Sequence, residues 1–355
     1  MSKIALKSCA ARTPRKAILP ALRSAIISAV IIVPASAQDV FAGKTVSLST
    51  HSTAGAGYDT YLRLLARHMG KHIPGHPGFV VLNQPGAGGL LAANYAAKAA
   101  PQDGTFLTLV SQGLLVIEAV GGRGMQMSLT SFKWLGNFSR SNNVTVTWGA
   151  SKVATLADAM SRDVTVGATG AGSATVVGPT LYNSLLGTRF RIIQGYGGTG
   201  QINLAMQRGE IDGHANSTWA SIKSTLNNEF RDGKLNVLIQ TGLRKEPDLP
   251  GVPLLSDLVA GDPEKEAVAR FISLAVSIAR PLAAPPSVPD ERVTILRRGF
   301  DATVKDPEFL AEAQKLNADI DPMTGEETQA AIAAVLSTPK PVIAQVTAIL
   351  GGLPK

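Results

Sequence analysis

Residues 44–69, KTVSLSTHSTAGAGYDTYLRLLARHM, carry the pattern that decides the fold. Lys44 to Ser49 reads as a strand, Thr53-Ala54-Gly55-Ala56-Gly57-Tyr58-Asp59 turns the chain, and Leu62, Leu65, Ala66 and Met69 then recur at helical spacing. Gly70 and Pro74 stop that helix. A strand that hands a glycine-rich turn to a helix start is a βα unit, and a chain built of such units makes a largely parallel sheet.

The unit repeats outward from this stretch. Phe79 to Leu82 is a strand, Asn83 to Gly89 a turn and Leu90 to Ala99 an Ala-rich helix; Phe106 to Val110 is a third strand, ending at Ser111-Gln112-Gly113. A second series begins with Val144 to Trp148. There Val164 to Ala168 runs into Thr169-Gly170-Ala171-Gly172-Ser173-Ala174-Thr175 and a helix near Val176 to Leu186, and Arg189 to Ile193 runs into Gly195-Tyr196-Gly197-Gly198-Thr199-Gly200 and a further helix. Leu235 to Gln240 is another strand. Phe271 to Ile278 reads as a strand returning the chain to the first series, and Pro281 to Pro289 as a connector to C-terminal helices. The expected architecture is α/β, with two α/β lobes, 38–143 plus 276–355 and 144–275, around a hinge and a cleft.

Residues 1–37 stand apart. Six cations and no acids precede the apolar run Ala25 to Val33, which is too short to span a bilayer, and Ala35-Ser36-Ala37 follows as a small-residue cleavage pattern. The reading is a secretory signal cleaved after Ala37, a periplasmic mature chain starting at Gln38, and a soluble protein without a lipid anchor, since the single cysteine, Cys9, lies within the signal. Without the leader's six cations, 28 of the 34 basic residues face 26 acids. That near-balance removes the basic footprint that nucleic-acid binding requires, so no nucleic-acid partner is expected.

Motifs for chemistry are weak when taken singly. Gly195 to Gly200 satisfies GxGxxG after a strand, but Glu210 and Asp212 come too early for the acidic ribose ligand of a dinucleotide site, so no cofactor is expected. His68, His72 and His76 are four apart, yet Gly70, Pro74 and Gly75 break the helix that would align them, and no metal is expected. Ser173 lacks a GxSxG frame and no nucleophile, base and acid series appears, so the chain is not read as an enzyme. Glycine-rich turns at four strand ends, by contrast, belong where open α/β sheets bind ligands, and they can offer main-chain N–H groups to one anion.

The quoted stretch and its successors also resemble a family. Val46-Ser47-Leu48-Ser49-Thr50 with Ala54-Gly55-Ala56-Gly57-Tyr58-Asp59 resembles the strand and PGGGTD turn of the tripartite tricarboxylate transporter solute receptors, the Bug proteins; Phe79 to Gly89 resembles their VVVENRPGAGG turn. Ala99 to Thr105 resembles APDGYT, Gly209-Glu210-Ile211-Asp212 resembles GxVD, and Gly251-Val252-Pro253 resembles GVPT. The resemblance implies a type II periplasmic-binding-protein fold that holds a small organic acid (dicarboxylate, tricarboxylate or aromatic acid) as a monomer and passes it to membrane transporter subunits.

It also implies that amides of the first two turns meet the carboxylate: Thr53, Ala54, Gly55, Ala56 and Gly57, with Asp59 at the helix start, and Gly86, Ala87, Gly88 and Gly89. The opposite lobe would contribute Thr169, Ser173, Ala174, Tyr196, Gly198 and Thr199. Ser111, Gln112 and Asn216 complete the candidate site, and Asn216, standing where the family commonly has aspartate, favours an anionic ligand over an amino acid. The competing readings are a sensory receptor of the same fold and an exported enzyme.

Overall fold

The computed structural model describes residues 40–351, Arg123 apart; the leader and Cys9 lie outside the described residues. The chain runs β1 (Thr45–Thr50), α1 (Gly57–His68), β2 (Gly78–Asn83), α2 (Leu90–Lys98), β3 (Phe106–Leu109), α3 (Gly113–Ala119) and β4 (Lys133–Asn137). It continues as β5 (Asn143–Trp148), α4 (Leu156–Ser161), β6 (Val164–Ala168), α5 (Ala174–Leu186), β7 (Phe190–Gln194), α6 (Thr199–Gln207), β8 (Gly213–Thr218), α7 (Trp219–Arg231) and β9 (Leu235–Thr241). The remainder is α8 (Leu255–Leu258), α9 (Pro263–Ser277), β10 (Pro281–Ala284), α10 (Asp290–Thr303), α11 (Pro307–Lys315), β11 (Met323–Thr324), α12 (Gly325–Leu336) and α13 (Lys340–Leu350).

Two sheets result, ordered β11-β4-β10-β3-β1-β2 and β7-β6-β8-β5-β9. Each holds a parallel trio, β2-β1-β3 in the first and β7-β6-β8 in the second. The strand entered from the other sheet, β10 or β5, runs against both its neighbours. The sheets are therefore mixed where the βα rhythm predicts largely parallel strands.

The chain passes between the sheets twice, through residues 138–142 and 278–280. These passages are tied to each other and to α7. Phe138 N donates to Arg280 O (3.3 Å) and Arg280 N to Asn137 Oδ1 (2.8 Å), while Trp219 N donates to Asn142 O (2.7 Å) and Ala220 N to Ser141 Oγ (3.0 Å).

Phe271 to Ile278 is a correction: Phe271 to Ser277 form the second half of helix α9, not a strand. Asp262 caps that helix by accepting from Lys265 N (3.2 Å), Pro263 opens it, and Glu264 and Glu266 favour its positive end. Val268, Ala269, Phe271, Ile272, Ala275 and Val276 are buried at three- and four-residue spacing. Read by itself, a short apolar run does not separate part of a buried helix from a strand, which is why this stretch passes for a strand. The returning strand is β10, where Pro281 holds the first position, the one at which a missing N–H costs a sheet least.

One apolar core joins residues of both sheets, from Phe106 and Trp134 to Val164 and Val166, through the helical residues Tyr182, Phe271 and Ile332. Among the described residues no single helix is long and apolar enough to cross a membrane.

Candidate ligand site between the two sheets

The carboxyl ends of β1, β3, β6, β7 and β8 lead to one crevice, and helices α1, α3, α5, α6 and α7 start there. Between them lies a cavity of about 50 Å³. From the first sheet His51 and Ser52 after β1, Tyr58 in the first turn of α1, and Ser111 and Gln112 before α3 line it. From the second come Thr169 and Ser173 to Thr175, Gly197 to Thr199, Asn216 to Thr218, and Ser221.

A helix start leaves N–H groups without helical acceptors and carries partial positive charge. The crossing segment consumes those of α7, because Asn142 and Ser141 take the amides of Trp219 and Ala220 and Thr218 Oγ1 takes that of Ser221 (3.1 Å). At α5 and α6 the position differs. Among the described residues no acceptor takes the amides of Ala174, Thr175 or Thr199, all of which line the cavity.

Arg280 adds a whole charge beneath the same wall. Its side chain is fully buried, with the guanidinium 4.0 Å from the Tyr61 ring centre and 5.3 Å from that of Tyr58. Nη2 donates to Ser221 Oγ (2.6 Å) and Thr218 Oγ1 (3.1 Å), whereas Nε and Nη1 have no partner among the described residues. Among the described residues no carboxylate pairs with it. Ser221 Oγ accepts from Arg280 and from Thr218 Oγ1 (2.8 Å), so its own hydrogen is left for the cavity.

Burial pushes the Tyr58 hydroxyl up against the counter-pull of Arg280, and takes that of Tyr61 up to about 12. Burial also holds the His51 imidazole down to about 4, the Leu109 carbonyl opposing it weakly, so His51 is neutral at physiological pH.

The glycine-rich turns of the two halves meet edge to edge. Gly88 lies in the left-handed region (φ +65°), and a Cβ there would strike the backbone of Gly172 and Ser173; one on Gly57 would strike Ser221 Oγ. Thr53 N donates across the crevice to Gly197 O (3.2 Å).

A family model for tripartite tricarboxylate transporter family receptors matches residues 62–347. The chain belongs to that family. Solved structures similar to this receptor include the periplasmic binding protein BugD, with TM-score 0.69, 20% identity and coverage of 87% of this chain and 98% of that one. Rpa4515 from Rhodopseudomonas palustris, solved with adipate, has TM-score 0.68 at 21% identity over 87% and 97% of the two chains. MatC from the same species, with bound malate, has TM-score 0.66 at 19% identity over 86% and 99%. These likenesses show the periplasmic-binding-protein fold. No curated protein matches the receptor in sequence.

Of the candidate residues, the receptor brings Ser111, Gln112, Thr169, Ser173, Ala174, Gly198, Thr199 and Asn216 to the cavity wall. Asn216 is held by the protein: Nδ2 donates to Ala174 O (2.7 Å), Oδ1 accepts from Tyr182 (2.8 Å), and the residue sits at φ +51°. Thr53 to Gly57 and Gly86 to Gly89 lie off the wall and form the touching edges described above. Asp59 faces its own turn, accepting from Gly55 N, Arg63 Nε and Asn83 Nδ2, each at 2.8 Å. Tyr196 packs into the apolar cluster of the second half.

The residues missed are His51, Ser52, Tyr58, Thr175, Gly197, Ser217, Thr218 and Ser221, with Arg280 behind them. Two of these had a readable signal. Thr218 before Trp219 is an N-cap pattern, and Arg280 is a lone charge between apolar segments, costly to bury unless used. His68 and His72, four apart as the spacing shows, pair instead with Glu312 and Asp306 (2.7 Å each), and Lys71 lies between Asp306 and Glu308 where it supplies the positive charge itself.

Proposed function

We propose that the receptor captures a small organic carboxylate in the crevice between its two sheets, in the periplasm, and passes it unaltered to membrane transporter subunits. The observation that carries this reading is the surplus of positive potential at a wall without acids. Free amides of α5 and α6 and the Arg280–Ser221 pair face a cavity to which the described residues contribute no Asp or Glu. A buried charge without a counter-charge is expensive, and an anion entering here offsets that cost while receiving charge-assisted bonds of about 1.5–3 kcal/mol each. The adipate and malate held by the similar Rpa4515 and MatC are ligands of this class.

Residues 38–143 with 276–355, and 144–275, work in this proposal as two lobes hinged at the crossings. A ligand touching both favours the closed arrangement, in which Gly57 and Gly88 meet Ser221 and Ser173. Thermal-shift and calorimetric titration of the mature, monomeric chain with dicarboxylates, tricarboxylates, aromatic acids and amino acids tests the ligand class, and stabilisation by none of the organic acids overturns it. Small-angle scattering tests closure, since an unchanged radius of gyration at saturation removes the hinge.

A further inference from the structure

Gln112 carries an acceptor that the protein leaves unused. Asn143 Nδ2 donates to Asn216 O (3.1 Å), which orients the Asn143 amide and makes its Oδ1 the acceptor for Gln112 Nε2 (2.9 Å). That chain fixes the Gln112 amide in turn, so the atom left over is Oε1. It is buried, on a residue that lines the cavity, and has no partner among the described residues. A buried acceptor without a donor is costly, and native interiors rarely keep one without a use.

His51, on the same side, reinforces the pattern. The imidazole is neutral, and Nδ1 faces Leu109 O at 3.5 Å, an acceptor to which only an N–H can donate; Nε2 is then a second lone pair on a cavity-lining residue. Two unused acceptors, Gln112 Oε1 and His51 Nε2, therefore stand on the β1 and β3 side, opposite the amides of α5 and α6. A plain carboxylate has nothing to donate to these acceptors.

Resting on the carboxylate reading, we infer that the ligand carries a hydroxyl beside its carboxylate, and that Gln112 Oε1 is the residue that selects it. An ammonium group is also a donor, but the buried Arg280 guanidinium and the absence of a lining carboxylate among the described residues disfavour a second cation here. The cavity has room for about three to five water-sized groups, which suits acids of few carbons.

The test is calorimetric titration of the full mature chain with two pairs that differ only by the hydroxyl, L-lactate against propionate and L-malate against succinate, with L-aspartate as the ammonium counterpart of malate. Each hydroxy acid should bind roughly tenfold or more tighter than its deoxy partner, and aspartate no tighter than succinate. In Gln112→Met the hydroxy acids should fall to the affinity of their deoxy partners while the latter change little. Acid binding without hydroxyl preference in the wild type overturns this inference and leaves the carboxylate reading standing; a preference that survives in Gln112→Met removes Gln112 as its source. Tighter binding of aspartate than malate assigns the acceptor to an amino acid and overturns the hydroxyl. If none of the five acids binds, the inference of a small hydroxy acid fails, and the wider screen of organic acids above decides the carboxylate reading on its own. The wild-type ratios decide even where Gln112→Met, which leaves Asn143 Oδ1 unpaired, does not fold.

Discussion

The β1–α1 turn and the β6–α5 turn look alike in sequence, since each joins a parallel strand to a helix through small residues and glycine, yet they behave differently. In the first, Asp59 absorbs the Gly55 amide together with Arg63 and Asn83, and Gly197 O takes the Thr53 amide. In the second, Ser173 Oγ donates back to Gly170 O (2.7 Å) and Thr175 Oγ1 accepts from Thr169 N (3.2 Å), which shapes the turn; among the described residues no acceptor takes the amides of Ala174 and Thr175, and both residues line the cavity, where the first turn's helix start sends only Tyr58. Glycine spacing licenses a sharp turn in both. What separates them is which helix-start residues reach the cavity, Ala174 and Thr175 in the second turn against Tyr58 in the first.

The contrast breaks most completely where the turns meet. Gly88→Val adds atoms against the backbone of Gly172 and Ser173, which cannot yield as a flexible side chain would, and does so at a left-handed φ that valine resists. Ligand affinity is expected to fall more than a hundredfold while circular dichroism reports folded halves. Retained affinity would show that the edges need not touch for binding.

Arg280→Met comes next. It removes the charge behind Ser221, and the loss of one charge-assisted interaction of about 1.5–3 kcal/mol predicts a roughly ten- to 150-fold weaker carboxylate affinity in calorimetry. The unliganded protein should keep its melting temperature or gain, because an unpaired buried guanidinium gives way to an apolar chain. A variant that loses stability but keeps affinity makes Arg280 a structural tie only.

Ser173→Ala sharpens the comparison on the donor side. The hydroxyl bonds Gly170 O and Thr175 Oγ1, both at 2.7 Å, so its loss slackens the turn that aims the Ala174 and Thr175 amides. A hydrogen bond of about 1 kcal/mol predicts roughly fivefold weaker binding, read against an unchanged far-ultraviolet spectrum.

How much of this could be read from the chain depends on what local pattern encodes. Strands and helices with a period, such as β1 with α1, were legible, and so was the use of strand ends as the site, because backbone geometry is written in glycine and apolar spacing. The α9 run was not, since a short apolar stretch fits a buried strand as well as part of a helix. β8, Gly213-His214-Ala215-Asn216-Ser217-Thr218, is wholly buried yet mostly polar, with His214, Asn216 and Thr218 bonding residues outside the strand, Asn203, Tyr182 and Arg280. Arg280 belongs to the site through α7, some sixty residues away. Such partnerships arise only when two sheets close on each other, and no spacing rule reports them.

The smallest effect on binding is expected at Asp59, and it separates the two turns most cleanly. Burial alone would raise the Asp59 carboxyl, but Arg63, Asn83 and the Gly55 amide outweigh it and hold it below the usual 3.8. A carboxyl depressed in the folded state contributes stability that is fully present above its unfolded value and is lost as pH falls through the folded one. Asp59→Asn should therefore cost about 1–2 kcal/mol at pH 7 through weaker bonds to Gly55 and Arg63, with wild type and variant converging in denaturant titrations below about pH 3.8. Affinity should change less than twofold, because Asp59 lies off the cavity wall and spends its oxygens inside its own turn. A loss of affinity larger than that seen in Ser173→Ala would erase the distinction between a turn that holds itself and a turn that holds a ligand.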